Sequence, residues 1–250
     1  MKVESIKTHK ITDADKDLLK ILDQYVTELP ERSVLAITSK IVAICEGRII
    51  KITDDVDKNE LMRKEAQYYI PREKNKYNVS ISIKGNILVG SAGIDESNSN
   101  GYFVLWPDNP QSTVNAVREY LTKRFKVQDV GVIVTDSRNV PLRYGSTGAV
   151  IAHSGFFSIN SYIDTPDLFG RIMHVSKVNV SDSLASAAVL EMGEGQEQTP
   201  LAVLTDIPYV RFNPENPSEK ELSLIHLTLE TDLYHVMLES TPWEKGDALQ

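Results

Sequence analysis

One uninterrupted apolar run limits the folds open to this chain more than any other feature. Residues 130–135 read Val-Gly-Val-Ile-Val-Thr and lack the alternation of a strand with one solvated face. A continuous run of this kind is typical of a strand that is buried on both faces of a sheet. Residues 34–38 and 201–204 have the same character. Helical patterns occur between these runs without strict alternation, so we expect a mixed α/β or α+β fold.

Amphipathic patterns and turn residues predict the other elements. A first strand is expected within residues 2–11, and Asp13 or Asp15 would cap a helix that ends at Pro30. Further helices are expected over residues 59–70, 111–125, 182–192 and 222–238, a hairpin over 79–83 and 86–89, and a short strand over 102–105. We assign residues 1–205 to one domain with room for two subdomains, and residues 206–250 to a C-terminal helical extension of it.

Charge and cysteine content exclude several classes of function. The 250-residue chain has a formal net charge of −8, and such an acidic protein is a poor candidate for general nucleic-acid binding. Cys45 is the single cysteine and cannot form an internal disulfide, so a reducing cytoplasm is the expected compartment. Its apolar neighbours favour a buried structural thiol over a nucleophile. We find no signal-peptide pattern and no apolar stretch of membrane-helix length, so no membrane partner is expected.

The polar loop at residues 91–98 offers the most chemistry. It reads Ser-Ala-Gly-Ile-Asp-Glu-Ser-Asn and follows a predicted strand. Asp95 provides hard oxygen ligands for a divalent cation, and the Asn98 amide both donates and accepts hydrogen bonds. Gly93 allows the tight backbone that a loop needs to approach a ligand closely. We therefore expect a ligand at this loop.

A second polar segment follows the buried strand at residues 130–134. Asp136 and the hydroxyl of Ser137 are adjacent oxygen donors suited to Mg²⁺ or Mn²⁺, and ligands bind where strands of an α/β sheet end. A plain chain turn is the alternative for any Asp-Ser pair. Arg143 follows a proline turn and could bind a carboxylate or phosphate, with a surface salt bridge as its alternative. His153 has apolar neighbours and is expected in the core rather than as a base.

The third polar loop, residues 192–199, has two open interpretations. It reads Met-Gly-Glu-Gly-Gln-Glu-Gln-Thr and follows an alanine-rich helical pattern. It either ends that helix, with Gly193 or Gly195 in the left-handed conformation, or forms a flexible phosphate loop from which Glu194 reaches a metal. Composition alone favours the helix cap.

Taken in order, these segments resemble the family of ligases that add γ-linked glutamate to the deazaflavin coenzyme F-420. Each matching piece is weak alone, but six in family order, across roughly residues 38–204, are a strong signal for the fold. The pieces are Thr-Ser-Lys-Ile-Val at 38–42 with Glu-Gly-Arg at 46–48, Ala-Gly-Ile-Asp-Glu-Ser-Asn at 92–98, Pro-Asp-Asn-Pro at 107–110, Thr-Asp-Ser at 135–137 with Pro141 and Arg143, Asp-Leu-Phe-Gly-Arg at 167–171, and Met-Gly-Glu at 192–194.

The resemblance implies a γ-glutamyl-ligase-type fold with mixed sheets, an intertwined homodimer, and an amide ligase that acts through an acyl phosphate. It implies GTP as co-substrate, L-glutamate and a small carboxylate acceptor as partners, and two divalent cations, Mn²⁺ or Mg²⁺, with K⁺ as a further candidate. The implied metal ligands are Asp95, Asp136, Ser137 and Glu194, and the implied catalytic residues are Lys40 and Arg143. The implied nucleotide contacts are Ser39, Lys40, Asn98, Met192, Gly193, Glu194, Gly195, Gln196, Glu197, Gln198 and Thr199.

The chain also departs from the family pattern. Residues 7–10, Lys-Thr-His-Lys, stand where the family has a Gly-x-Pro-like turn, and Ile44 replaces a basic residue. Ser137 takes the place of a family threonine and keeps its hydroxyl group. Residues 138–143 differ from the family sequence at the corresponding positions. These changes leave two alternatives to this ligase activity. One is a non-catalytic or differently specific relative that binds nucleotide or a small anion, and the other is a dimeric structural module.

Overall fold

A five-stranded sheet forms the centre of the protein, whose residues 1–249 are described by a computed structural model. The strands are β1 (Lys2–Ile6), β2 (Ser33–Thr38), β3 (Ile49–Lys51), β4 (Tyr68–Ile70), β5 (Ile81–Lys84), β6 (Ile87–Gly90), β7 (Tyr102–Val104), β8 (Val130–Asn139), β9 (Ser146–Ser154), β10 (Ile159–Ser161), β11 (Lys177–Asn179), β12 (Leu201–Thr205) and β13 (Glu244–Lys245). The α-helices are α1 (Leu18–Tyr25), α2 (Ser39–Glu46), α3 (Lys58–Glu65), α4 (Pro110–Phe125), α5 (Val180–Met192), α6 (Glu219–Leu222) and α7 (His235–Ser240). Short 3₁₀ turns lie at Arg72–Lys74, Ser91–Gly93 and Asp247–Leu249.

The central sheet has the order β1-β12-β2-β8-β9 and mixes both strand orientations. β2 and β8 run parallel, whereas the other neighbouring pairs are antiparallel. The three apolar runs of the sequence are the three inner strands, β2, β8 and β12. The mixed α/β class that the sequence predicts is therefore confirmed.

Helices cover both faces of this sheet, because the inner strands carry apolar side chains in both directions. Along β2, Leu35 and Ile37 join the core built with α1, α2 and α4, whereas Val34 and Ala36 join the core against α5. α5 packs closely on β9, since a Cβ atom on Gly148 would lie 2.6 Å from the carbonyl carbon of the facing helix residue. The central part of the protein thus has three layers, helix on sheet on helix.

Smaller β-units lie around this centre. A four-stranded antiparallel sheet has the order β13-β4-β5-β6, β3 pairs with β7, and β10 pairs with β11 to form an arm. The predicted hairpin is confirmed as β5 and β6, and the helices predicted over 111–125 and 182–192 are confirmed as α4 and α5. Among residues 1–249, no helix combines the length and the apolar character that a membrane crossing needs.

Three predicted helix boundaries in the first third of the chain are wrong. α1 is capped by Asp17 rather than by Asp13 or Asp15, and it ends at Tyr25 rather than at Pro30. The helix predicted over residues 59–70 ends at Glu65, because Tyr68–Ile70 pairs with β5. Aromatic and β-branched side chains favour a strand where a partner strand is available.

The single helix predicted over residues 222–238 is also wrong. The segment contains the short helices α6 and α7, and between them the backbone N–H of Thr228 donates to the hydroxyl of Thr231. Such local bonds compete with helical ones. Leu233 and Val236 are exposed, so these side chains provide no buried face that would hold one long helix. Beyond the segment, β13 pairs with β4, and the domain division at residues 205 and 206 stays a prediction.

Candidate active site

A cavity of about 780 Å³ opens at the carboxyl ends of the parallel strands β2 and β8. Its walls also come from the first turn of α2, the loop after β6, the loop after α5 and residues 8–12. The volume is typical of a small-molecule pocket, and the position is typical of ligand sites on α/β sheets. All but one of the predicted site residues line it, namely Ser39, Lys40, Asp95, Asn98, Asp136, Ser137 and residues 192–199.

Asp136 lies within β8 and not in a loop after it. The strand continues to Asn139, past an irregularity in the pairing between Val134 and Thr135. The Oδ2 atom of Asp136 accepts a hydrogen bond from the indole Nε1 of Trp106 at 2.5 Å. Burial raises the pKa of Asp136 to about 6, although the hydrogen bond from Trp106 lowers it. A bound cation would therefore favour the ionised form of this carboxyl group.

Lys40 and Asp95 form an ion pair across the cavity wall. The Nζ atom of Lys40 lies 2.7 Å from Oδ2 of Asp95 and donates to the carbonyl oxygen of Ser97 at 2.8 Å. Burial raises the pKa of Asp95, but the hydrogen bond and charge of Lys40 outweigh burial and leave that pKa below its ordinary value. Asp95 is therefore ionised at neutral pH, and Lys40 balances its charge.

The loop at residues 91–98 carries backbone strain. Ser91, Ala92 and Asn98 have positive φ angles of 49°, 53° and 52°, which residues other than glycine seldom adopt. Such strain concentrates at functional sites. Gly93 also has a positive φ, and a Cβ atom there would lie 2.7 Å from Cδ1 of Trp106. The Trp106 indole therefore leaves no room for a side chain at this position. The sequence alone suggested a different reason for the glycine, namely close approach of a ligand.

The loop at residues 192–199 both ends a helix and lines the cavity. Gly193 is the C-cap of α5, with a hydrogen bond from its N–H to the carbonyl of Val189, so the predicted cap is confirmed. The predicted left-handed conformation is wrong, because Gly193 has a φ of 77° with a ψ of 171° and Gly195 has no positive φ. The phosphate-loop interpretation stays a prediction. Asn98 Nδ2 donates to the carbonyl of Gly195 at 2.8 Å, and Ser137 donates to the carboxylate of Glu194. These bonds join the loop to the other two polar segments.

The first turn of α2 adds a site suited to an anion. Ser39 and Lys40 begin this eight-residue helix at the cavity. The N-cap residue, Thr38, makes no side-chain capping bond, so the backbone N–H groups of the first turn are not satisfied by it. Such N–H groups and the helix dipole favour phosphate or carboxylate binding.

The predicted metal ligands lie on the cavity, but their carboxylates do not converge. Among the described residues, no three His, Cys, Asp or Glu side chains are grouped as a cation site would require. Lys40 contacts Asp95, and Ser137 contacts Glu194. The donor chemistry nevertheless fits Mg²⁺ or Mn²⁺, because carboxylate and hydroxyl oxygens are hard ligands. The buried hydroxyl of Thr135, which directly precedes Asp136 in β8, also has no hydrogen-bond partner among the described residues. The metal assignment stays a prediction.

Arg143 is the predicted site residue that the structure does not bring to the cavity. It lies in the exposed loop between β8 and β9, and its guanidinium donates to the carbonyl of the adjacent Leu142. β8 and β9 form a long hairpin, and Arg143 in its connecting loop does not line the cavity. Its predicted catalytic role finds no support within one protomer.

Two residues of the site were not expected from the sequence, namely Trp106, which contacts Asp136, and His9, which lines the cavity. Trp106 continues an apolar run, and nothing in its local pattern shows that its N–H meets Asp136. His9 lines the mouth of the cavity, and its ring contacts Asp15 Oδ1 at 3.0 Å and the hydroxyl of Tyr25 at 2.8 Å. Residues 7–10 depart from the family turn, and this departure could have pointed to His9. Residues 8–10 form part of the cavity wall.

The layered fold and the cavity define a mixed α/β protein with a polar binding site built from carboxylates, a lysine and a helix N-terminus. The sequence profile of the family described as "F420-0:Gamma-glutamyl ligase" matches residues 5–206. The chain belongs to this family, and the membership expected from six short motifs is confirmed.

Curated relatives of this chain carry the name "Coenzyme F420:L-glutamate ligase". The relative from Methanosarcina acetivorans is 31% identical over 225 residues, which cover 84% of this chain and 88% of the relative. The relative from Methanopyrus kandleri is 29% identical over 221 residues, covering 81% and 86%. That from Methanocaldococcus jannaschii is 28% identical over 211 residues, covering 77% and 83%. The similarity therefore extends over most of both chains.

Proposed function

We propose that this protein is a metal- and nucleotide-dependent amide ligase that joins L-glutamate in γ linkage to the carboxylate of an F-420-type acceptor. Family membership and the names of the relatives support the reaction class. The observation that carries the proposal is the cavity itself, because it unites polar groups from four segments that are far apart in the sequence. These are residues 39–40, 95–98, 136–137 and 192–199.

The proposed reaction first turns a carboxylate into an electrophile. GTP transfers its terminal phosphoryl group to the acceptor carboxylate, which forms an acyl phosphate and GDP. The glutamate amine then attacks the acyl carbon, the phosphate leaves, and a proton leaves the amine. Negative charge develops on phosphoryl oxygens in this sequence, so the site must supply fixed positive charge and hydrogen-bond donors.

The cavity residues offer complementary parts of such a site. Lys40 and the N–H groups at the start of α2 can stabilise phosphate oxygens. Asp95, Asp136, Ser137 and Glu194 would hold Mn²⁺ or Mg²⁺, and these cations would neutralise further phosphate charge. Residues 192–199 would contact the nucleotide with backbone and side-chain polar groups. An acidic wall of this kind needs cations before it can accept an anionic nucleotide.

The test is release of GDP and phosphate by the purified protein with F-420-0 as acceptor. We expect release only when acceptor, glutamate, nucleotide and a divalent cation are all present, and we expect chelation to stop it. Replacing GTP by ATP tests the nucleotide assignment separately. If metal-replete protein releases no phosphate with any acceptor or nucleotide, the ligase proposal is wrong.

A relative that binds nucleotide or a small anion without ligation is the second candidate. The contact that favours it is the 2.7 Å ion pair of Lys40 with Asp95, because a protein cation there balances a predicted metal ligand. His9 and Lys10 replace the family turn on the cavity wall, which also fits a different ligand. Titration calorimetry with GTP and ATP, with and without Mn²⁺, separates the candidates, since binding without turnover would favour the second.

A cytoplasmic homodimer is part of the proposal. The tip of the β10–β11 arm exposes Leu168 and Phe169, and the β8–β9 loop exposes Leu142 and Tyr144. Clusters of exposed apolar side chains often mark protein interfaces. Arg143 lies in the same loop, so its predicted role would require that loop to meet a second copy. Light scattering tests this: a mass of two 28.0 kDa chains supports the dimer, and the mass of one chain contradicts it.

A further inference from the structure

We propose that Trp106 is a positioning residue whose indole N–H orients the Asp136 carboxylate for cation binding, and that a half-buried Arg48–Glu65–Lys84 cluster supports the indole. The inference rests on the proposed function, because it assigns Asp136 to a cation. Trp106, Glu65 and Lys84 lie outside the motifs that suggested that function, whereas Arg48 ends the Glu-Gly-Arg motif at 46–48. Three contacts of the indole carry it.

The first contact is the hydrogen bond itself. Trp106 is 4% exposed, and its Nε1 lies 2.5 Å from Oδ2 of Asp136. An indole N–H can only donate, so its geometry selects one lone pair of one carboxylate oxygen. Hydrogen bonds to charged acceptors are shorter and stronger than neutral ones. The carboxylate is thereby held in one orientation at the end of the parallel strands.

The second contact is with the loop that carries Asp95. A Cβ atom on Gly93 would lie 2.5 Å from Cε2 and 2.7 Å from Cδ1 of the same indole, so the loop backbone lies directly against the ring. One side chain therefore touches both predicted metal-binding segments. A change in the position of the indole would alter the relation between Asp95 and Asp136.

The third contact is with the cluster behind the ring. The Nε atom of Arg48 donates to the carbonyl oxygen of Trp106 at 3.1 Å, and its Nη2 contacts both carboxylate oxygens of Glu65 at 2.8 and 2.7 Å. Lys84 pairs with the same carboxylate, and its Nζ lies 5.5 Å from the centre of the indole ring. The side chains of Lys84 and Glu65 are 14% and 17% exposed.

This cluster suits a positioning role because it carries one more positive than negative charge. A cation over the ring face is attracted to the indole and polarises it, which strengthens its N–H as a donor. The hydrogen bond from Arg48 to the Trp106 carbonyl also fixes the backbone from which the indole projects. A merely structural tryptophan needs neither a charged acceptor nor a cation behind it.

Trp243 supplies a matched comparison, since the chain has two tryptophans. Its Nε1 donates to the backbone carbonyl of Leu238 at 2.7 Å, outside the cavity. Trp106→Phe and Trp243→Phe thus each remove one indole hydrogen bond, but only the first removes a bond to a carboxylate of the site. Phenylalanine keeps most of the ring packing in both variants.

The experiment measures Mn²⁺ affinity by electron paramagnetic resonance, with Mn²⁺ alone as the probe. We expect Trp106→Phe to weaken binding by about tenfold to a hundredfold, as loss of a hydrogen bond to a charged group would. Trp243→Phe should bind as wild type does. Equal affinity of Trp106→Phe and wild type would overturn the inference and leave the proposed function intact. If wild type binds no Mn²⁺, the metal part of the proposed function fails, and the inference fails with it.

A fluorescence titration keeps the inference testable even if Trp106→Phe does not fold. In Trp243→Phe, Trp106 is the sole tryptophan, and Mn²⁺ bound at Asp136 should quench its emission. The Mn²⁺ dissociation constant from this quenching should equal the one from electron paramagnetic resonance. Unquenched emission at saturating Mn²⁺ would place the ion away from Asp136 and overturn the inference.

Discussion

The two walls of the cavity are held in different ways. The strand wall, which carries Asp136, is supported from behind by Trp106 and the Arg48–Glu65–Lys84 cluster. The loop wall, residues 192–199, is joined to its surroundings by bonds among exposed groups, such as that from Asn98 to Gly195. A buried bond to a charged group is strong and expensive to break, whereas an exposed neutral bond competes with water.

The difference separates two tasks that a site for a charged reaction must perform. Charge stabilisation works best when the groups are already in position, as on the strand wall. Contact with the polar groups of a ligand can instead use exposed groups whose bonds exchange with water, as on the loop wall. We therefore expect changes to the strand wall to reduce cation affinity, the rate or the stability, and changes to the loop wall to alter nucleotide affinity.

The largest effect is expected from removing the charge of the strand wall. Asp136→Asn keeps the shape and an acceptor for the Trp106 N–H but removes the carboxylate charge. We expect glutamate-dependent turnover to fall by about a thousandfold, because electrostatic stabilisation of a transition state is worth several kcal/mol. Steady-state assays measure it, with the exposed Asp54→Asn as control. Near-normal turnover in Asp136→Asn would show that the strand wall does not serve the reaction.

The next effect concerns the support of that wall. In Gly93→Ala the added methyl group would overlap the Trp106 indole at a positive φ, so we expect a loss of about 3–5 kcal/mol in the free energy of unfolding. Gly47→Ala is the matched control, because Gly47 also has a positive φ but has nothing within 4 Å of its missing Cβ. It should lose about 1–2 kcal/mol. Equal losses in urea unfolding would show that contact with the indole contributes nothing.

The raised pKa of the half-buried Asp136 also predicts a pH dependence of stability. Burial raises its pKa from 3.8 to about 6 in the folded protein, so the folded state binds this proton more tightly than the unfolded chain. The resulting stabilisation is complete below about pH 4 and is lost as the pH rises through about 6.

Without cations, wild type should therefore lose about 2–3 kcal/mol of unfolding free energy relative to Asp136→Asn over that range. Urea unfolding of both proteins at a series of pH values measures the difference. A difference that does not change with pH would contradict the raised pKa.

The smallest effect is expected at the loop wall. Asn98→Ala removes the exposed hydrogen bond to the carbonyl of Gly195. We expect the KM for nucleotide to rise by about threefold to tenfold with little change in kcat, as for one neutral hydrogen bond. Initial-rate kinetics at saturating acceptor and glutamate measure both constants. A fall in kcat as large as that of Asp136→Asn would remove the distinction between the two walls.

The central sheet could be predicted because its inner strands are continuous apolar runs, and such runs leave few other structures open. The candidate site could be located because polar residues follow the two apolar segments that pair in parallel, residues 33–38 of β2 and 130–135 of β8, and both segments end at the same edge. Lys40 and Asp136 reach one cavity for this reason. For residues 192–199, local composition favoured a plain helix cap. Glu194 was predicted as a site residue because the six motifs occur in family order.

The remaining features depend on contacts between distant segments, which local patterns do not show. Trp106 looks like any core residue until Gly93 and Asp136 are seen against its ring. Arg143 has the sequence context of a binding residue, but it lies in the connecting loop of the long β8–β9 hairpin and does not line the cavity. In the periodic segment at 222–238, Ile225 packs against the core but Leu233 and Val236 stay exposed, so the pattern does not produce one helix.

The central claim is that this cavity supports formation of an amide bond to glutamate. The most direct measurement is mass spectrometry of the acceptor after incubation of the protein with F-420-0, L-glutamate, GTP and Mn²⁺. The account predicts that the acceptor gains one or more glutamyl residues with wild type and none with Asp136→Asn. An unchanged acceptor with folded, Mn²⁺-binding wild type, or an equal gain with both proteins, would contradict it.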